Sequence, residues 1–101
     1  MTQEGGTEGT FLVEYLYVPE IERRREEIRQ DHRAYLDDSF ETGTLRFAGA
    51  VRDPVDRGVL LVEADSRGKA MQWATADPVV RAGLVRAIHV HEIGVAYPRH
   101  F

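Results

Sequence analysis

The spacing of apolar positions changes along the chain, and each change marks the edge of an expected element. Residues 11–18, FLVEYLYV, are apolar or aromatic at nearly every position, and Pro19 stops the run. This predicts a strand buried on at least one face. From Glu20 to about Phe40 the spacing lengthens, so that Ile21, Ile28, His32, Tyr35 and Leu36 share one helical stripe. Opposite them lie Arg23, Arg24, Glu26, Glu27, Arg33 and Asp37. Gly43 suits the left-handed position just beyond this helix. TLRFAGAV at 44–51 predicts a second strand, with Leu45, Phe47 and Gly49 on one face and Arg46 and Ala48 on the other. The turn-forming RDPVDRG at 52–58 leads into VLLVEA at 59–64, so strands two and three should form a hairpin. Asp65 or Ser66 can cap a second helix carrying Ala70, Met71, Trp73 and Ala74 and ending near Thr75. Asp77 before Pro78 reads as an N-cap with proline at the first helical position, opening a short turn through Arg81. RAIHVHEIGV at 86–95 supplies the last strand.

The order strand, helix, strand, strand, helix, strand predicts an α+β fold, the ferredoxin-like βαββαβ sandwich. Both helices then cover one face of a four-stranded antiparallel sheet. FLVEYLYV and VLLVEA are apolar on both of their faces, so the uncovered face calls for a partner, and a sheet-to-sheet homodimer is expected.

With 101 residues the chain has the length of one domain. Its first ten, MTQEGGTEGT, carry too little apolar surface to order themselves and predict a flexible tail, leaving 11–101 as the domain. That start has neither the basic leader nor the apolar run of a signal peptide, and no stretch approaches the roughly 18 apolar residues of a membrane span. A cytoplasmic protein without membrane partners is expected. The net charge of −4 disfavours a nucleic-acid partner. The absence of cysteine removes thiol nucleophiles, disulfides and Cys-zinc sites together.

His32 is the anomaly in the pattern, an imidazole where the helix stripe asks for an apolar side chain. It either lines the helix–sheet seam with its nitrogens satisfied by backbone, or serves as an acid–base group. Asp77 caps a helical turn, but a cap can also orient an imidazole. The expected topology sets the first helix and the segment before the last strand on one sheet face, where His32 and Asp77 could meet. Tyr35 and Trp73 are weaker candidates for pocket lining, and Arg29 could hold an anionic group if it points inward. His89 and His91 share one face of the last strand, with His100 beyond, but they lack the further ligands of a firm metal site, and no metal is expected. The run Arg23, Arg24, Arg25 is flanked at helical spacings by Glu20, Glu22, Glu26 and Glu27 and reads as a salt-laced solvent face. Glycine-rich phosphate loops, nucleophile elbows and dinucleotide fingerprints are missing, so no cofactor is expected.

RQDHRAYL, GTLRFAGAV and WATADPVVRAGLVRAIHVHEI together resemble the YciI-like (YCII) family. Its R-x-x-H element corresponds to Arg29 and His32. Its more specific Ala-Asp-Pro element corresponds to Ala76, Asp77 and Pro78, followed by Ala82 and Gly83. The resemblance implies a domain that dimerises as in the dimeric α/β barrel superfamily, a pocket between helices and sheet, and a His-Asp dyad of His32 and Asp77. It further implies a small cofactor-free enzyme, of the kind that includes muconolactone isomerase-like proteins and a dehydrochlorinase of a hydroxylated aromatic. The chain departs from the family in its longer N-terminal tail and in Gly49-Ala50, where Gly-Pro is frequent. The expectation is a lyase or isomerase acting on a small molecule, with a non-catalytic dimeric ligand-binding or regulatory module as the alternative.

Overall fold

A computed structural model describes residues 9–98. Its strands are β1 (Gly9–Tyr17), β2 (Leu45–Ala50), β3 (Arg57–Ala64) and β4 (Val85–Ile93). Its helices are α1 (Ile21–Arg24), a 3₁₀ turn (Arg25–Ile28), α2 (Arg29–Glu41), α3 (Arg67–Thr75) and α4 (Pro78–Arg81). The strands form one antiparallel sheet in the order β2-β3-β1-β4, the ferredoxin-like arrangement.

Period-two alternation divides the sheet into two unlike faces. Phe11, Val13 and Tyr15 of β1, Leu60 and Val62 of β3 and Val90 of β4 are buried under the helices, where Ile21, Ala70, Ala74 and Val79 meet them. Small alanines on α3 let that helix approach the sheet closely. The register sets Leu12 opposite Leu61 and His91, and Glu14 opposite Val59 and His89, on the other face. Helices cover one face only, as the element order predicts.

Several boundaries differ from the sequence expectation. Gly9 and Thr10 already pair with Ala64 and Glu63, so β1 begins inside the stretch expected to be a tail. Residues 1–8 and His100 lie outside the described residues. The long helix expected from Glu20 to Phe40 is instead α1, the 3₁₀ turn and α2 in succession. Between Ile21 and Ile28 every residue is charged, so no apolar side chain holds this stretch against the sheet. The strict alternation expected in β2 is interrupted by a register shift between Leu45 and Phe47. Leu45 is buried opposite Val62, whereas Phe47 lies opposite Leu61 and is 52% exposed. An extra residue in a strand re-aims the side chains beyond it, and that separates these two. Gly43 comes after α2 at φ 84°, as its sequence position predicts.

Candidate active site

The site grows from a helix cap. Ser66 opens α3 by accepting from the Lys69 backbone N–H at 3.1 Å, and Asp77 opens α4 in the same way, its Oδ1 accepting from the Val79 N–H at 3.1 Å. The extended backbone at Asp77 and the following Pro78 aim this carboxylate beneath the helices, where it is wholly buried. A buried carboxylate needs donors, because burial without partners is costly. His32 Nδ1 lies 2.7 Å from the same Oδ1, and the Tyr15 hydroxyl donates to Oδ2 at 2.9 Å. Both oxygens are therefore engaged. The sequence suggests a division of labour, one oxygen for the cap and one for the histidine. In the structure Oδ1 serves both, and the other oxygen belongs to Tyr15.

Tyr15 is the residue that sequence reasoning missed. It sits in β1 as one more inward aromatic, and nothing in its local pattern distinguishes it from a core tyrosine. Burial, then the Asp77 charge and the hydrogen bond to it, push the Tyr15 phenol strongly upward, which keeps it a neutral donor. An ionised carboxylate only accepts, so Nδ1 of His32 is the donor to Asp77, and in the neutral imidazole this places the lone pair on Nε2. The imidazole is one-fifth exposed and borders a cavity of about 560 Å³ between α2, the 3₁₀ turn and the sheet. An oriented imidazole with one free nitrogen at a cavity wall can take or give a proton.

The other expected site residues are placed differently. Tyr35 and Trp73 do not border this cavity. The Tyr35 hydroxyl donates to the Trp73 carbonyl at 2.7 Å, the Trp73 indole donates to the buried Ser39 hydroxyl at 2.9 Å, and the two rings stand 5.4 Å apart. They pin α2 to α3 and so hold His32 in place from behind. Aromatic residues at helical spacing serve both linings and helix contacts, which is why the sequence does not separate the two roles. Arg29 does border the cavity, but its guanidinium lies 3.3 Å from Glu26, and both side chains are more than half exposed. Arg25, expected in the solvent face with Arg23 and Arg24, turns inward and borders the cavity as well. Its place four residues after Ile21 and seven before His32 is the available signal.

The sequence profile of the YCII-related domain matches residues 10–94. The chain belongs to this family. No curated protein matches it by sequence. Among solved structures, the YCII domain is similar to 5-chloro-2-hydroxyhydroquinone dehydrochlorinase (TftG) from Burkholderia phenoliruptrix, solved as a complex with 2,5-dihydroxybenzoquinone. The TM-score is 0.72 at 22% identity, over 84% of this chain and 93% of that one. It is also similar to a candidate antibiotic biosynthesis monooxygenase from Nitrosomonas europaea, with TM-score 0.59, 16% identity and coverage of 91% and 93%. A NIPSNAP family protein from Agrobacterium tumefaciens gives 0.58 at 10% identity, over 89% and 88%. At these identities the likeness shows the fold alone, a ferredoxin-like α+β architecture.

His89 and His91 stand apart from His32 and Asp77, on the open face of the sheet. Glu14 Oε1 lies 3.4 Å from His91 Nε2 and 3.8 Å from His89 Nδ1, and Arg57 approaches the other Glu14 oxygen at 3.5 Å. Among the described residues this trio has the spacing of metal ligands. It shares no side chain with the His32 cavity, and the Arg57 cation beside Glu14 competes with a metal ion for its charge.

Proposed function

We propose that this YCII domain is a cofactor-independent small-molecule enzyme of the lyase or isomerase type, in which His32 and Asp77 form the acid–base dyad. The observation that supports it most directly is the 2.7 Å contact between His32 Nδ1 and the buried Asp77 Oδ1 at the wall of a cavity. His32 Nε2 takes a proton from carbon or oxygen of the bound molecule and returns it after the bond change. Asp77 holds the tautomer and stabilises the imidazolium that forms, and Tyr15 and the Val79 N–H keep Asp77 in place. Arg29 belongs to the cavity mouth as a contact for an anionic group.

The reading includes a second copy of the chain. Leu12, Leu16, Val59 and Leu61 lie half-buried on the open sheet face and Phe47 more exposed beside them, and packing two such faces together removes them from water. It includes neither nucleic acid nor membrane, in keeping with the net charge of −4 and with described helices too short and polar to cross a bilayer. Its expected setting is the cytoplasm.

The test uses a panel of hydroxylated and chlorinated one-ring compounds, including 5-chloro-2-hydroxyhydroquinone. Chloride release and deuterium uptake from solvent are followed by ion-selective electrode and NMR. The wild type should convert or exchange at least one member, and His32→Asn should lose about a hundredfold or more of that rate while keeping its fold. Ligands that bind without conversion or exchange would make the domain a binding module. An unaffected His32→Asn rate would remove the histidine from the chemistry.

A further inference from the structure

The three guanidiniums at the cavity, Arg25, Arg29 and Arg33, face one bordering carboxylate, Asp37, in a chain whose net charge is −4. Arg29 has Glu26 beside it. Arg25 is different. Its Nε is buried and has no hydrogen-bond partner, and it stands alone in this respect among the buried side-chain nitrogens and oxygens of the described residues. Buried donors are nearly always satisfied in native proteins, and those on cations most of all, so an orphaned one beside a cavity calls for an acceptor from outside the chain.

No acidic group among the described residues meets this need. Asp77 is occupied by His32, Tyr15 and the Val79 N–H. Glu26 is engaged with Arg29, and Glu20 with Arg23. Tyr17 lies near enough for Arg25 to draw its phenol downward, but burial outweighs this and the Asp77 charge adds to burial, so Tyr17 stays raised and neutral. The neighbouring walls carry aromatic rings, from Tyr15, Tyr17 and Phe40. A flat ring fits such walls, and an anionic oxygen on it would accept from the planar guanidinium.

We propose that the inner part of the cavity is an anion subsite, that Arg25 is its anchor, and that the molecule bound there is a one-ring aromatic carrying a carboxylate or an ionised hydroxyl. This deepens the reading given above, since the anchored ring is the molecule on which His32 acts. Arg25 to His32 is seven residues of helical chain, a rise of about 11 Å. The long Arg25 side chain and a substituted ring together cover that separation. Arg29, half-exposed and already beside a carboxylate, attracts anions to the mouth, and Arg25 selects for them inside.

The full-length protein is titrated with benzoate and with benzamide, its neutral analogue of nearly the same shape, by calorimetry and by ligand-induced melting shift. Benzoate should bind at least about tenfold more tightly than benzamide. Arg25→Gln should remove that difference, whereas Arg24→Gln, at an exposed position outside the cavity, should change benzoate affinity by less than about threefold. Arg25→Met reports independently of folding: with the orphaned donor gone, the ligand-free protein should melt no lower than wild type, yet show no benzoate shift. His32→Asn should keep its benzoate affinity, so failure of the dyad and failure of the subsite give different results. Equal binding of the two probes, absence of benzoate binding at millimolar concentration, or an Arg25→Met protein that melts well below wild type would each overturn the assignment.

Discussion

Tyr15→Phe isolates what holds the buried carboxylate. The substitution keeps the ring, which is 0% exposed, and deletes only the oxygen that donates to Asp77 Oδ2 at 2.9 Å. Asp77 is also 0% exposed, so solvent does not already reach the bond. A hydrogen bond to a charged group contributes about 1.5–3 kcal/mol, so a loss of about 2 kcal/mol is expected. In a domain of this size that lowers Tm by on the order of 10 °C. Urea unfolding followed by Trp73 fluorescence and by circular dichroism at pH 7 supplies the measurement, with coincident transitions as the check on two-state behaviour. Tyr17→Phe is the control, since its ring is also packed in the core cluster but its hydroxyl has no hydrogen-bond partner among the described residues. In an Asp77→Asn background the bond becomes one between neutral groups, and Tyr15→Phe should cost only about half as much. Equal losses for Tyr15→Phe and Tyr17→Phe, or a Tyr15→Phe loss undiminished by Asp77→Asn, would refute the charge-assisted bond as the source.

Alkaline pH and the open sheet face give two further predictions. Burial first, and then the Asp77 charge, raise Tyr35 to about 12, and Tyr15 and Tyr17 are raised mainly by burial. The folded chain keeps these phenols neutral while the unfolded chain ionises them. The contribution of Tyr35 is therefore intact below about pH 10 and is lost as pH rises through about 12, and the raised Tyr15 and Tyr17 add to the loss once pH exceeds about 10. The urea midpoint should fall across that window, and a midpoint unchanged at pH 11 would contradict the assignment. Leu61 lies between Leu12 and Phe47 on the open face, so Leu61→Asp should convert a dimer to a monomer in analytical ultracentrifugation. A wild type that sediments as a monomer at micromolar concentration would remove the sheet-to-sheet contact.

Much of the fold is legible because each element carries its own signal. The apolar runs of β1 and β3, the glycine after α2, and the cap residues Ser66 and Asp77 each act within a few residues, and each is observed where the local chemistry puts it. The failures are of another kind. The register shift in β2 depends on how Leu45 and Phe47 meet Val62 and Leu61 across the sheet, and LRFAGA alone does not contain that information. The 3₁₀ turn comes from a shortage of apolar anchors between Ile21 and Ile28, a deficit that a helical wheel passes over because it weighs charged residues only as an outward face. For the same reason the wheel groups Arg25 with Arg23 and Arg24, although its angular position matches Ile21 and His32.

At the site, the legible part is the part that doubles as local structure. Asp77 is recognisable as an N-cap from Asp-Pro alone, and the cap is what brings its carboxylate beneath the helices. One oxygen held by the Val79 N–H leaves a fixed direction from which His32 Nδ1 can approach, and the proline after it limits the backbone's freedom to relax. Capping and orientation of the imidazole are thus one geometry, and that is why a short motif before the last strand is more informative than the histidine itself. Tyr15 shares none of this. Its partner lies 62 positions away, and its hydroxyl acquires meaning only when β1 and the α3–α4 junction are superposed. The same holds for Arg25, whose missing partner is visible only in three dimensions. The support of the His32–Asp77 pair and the proposed substrate anchor therefore come from residues with no local signature, while the pair's position comes from one of the simplest local rules in the chain.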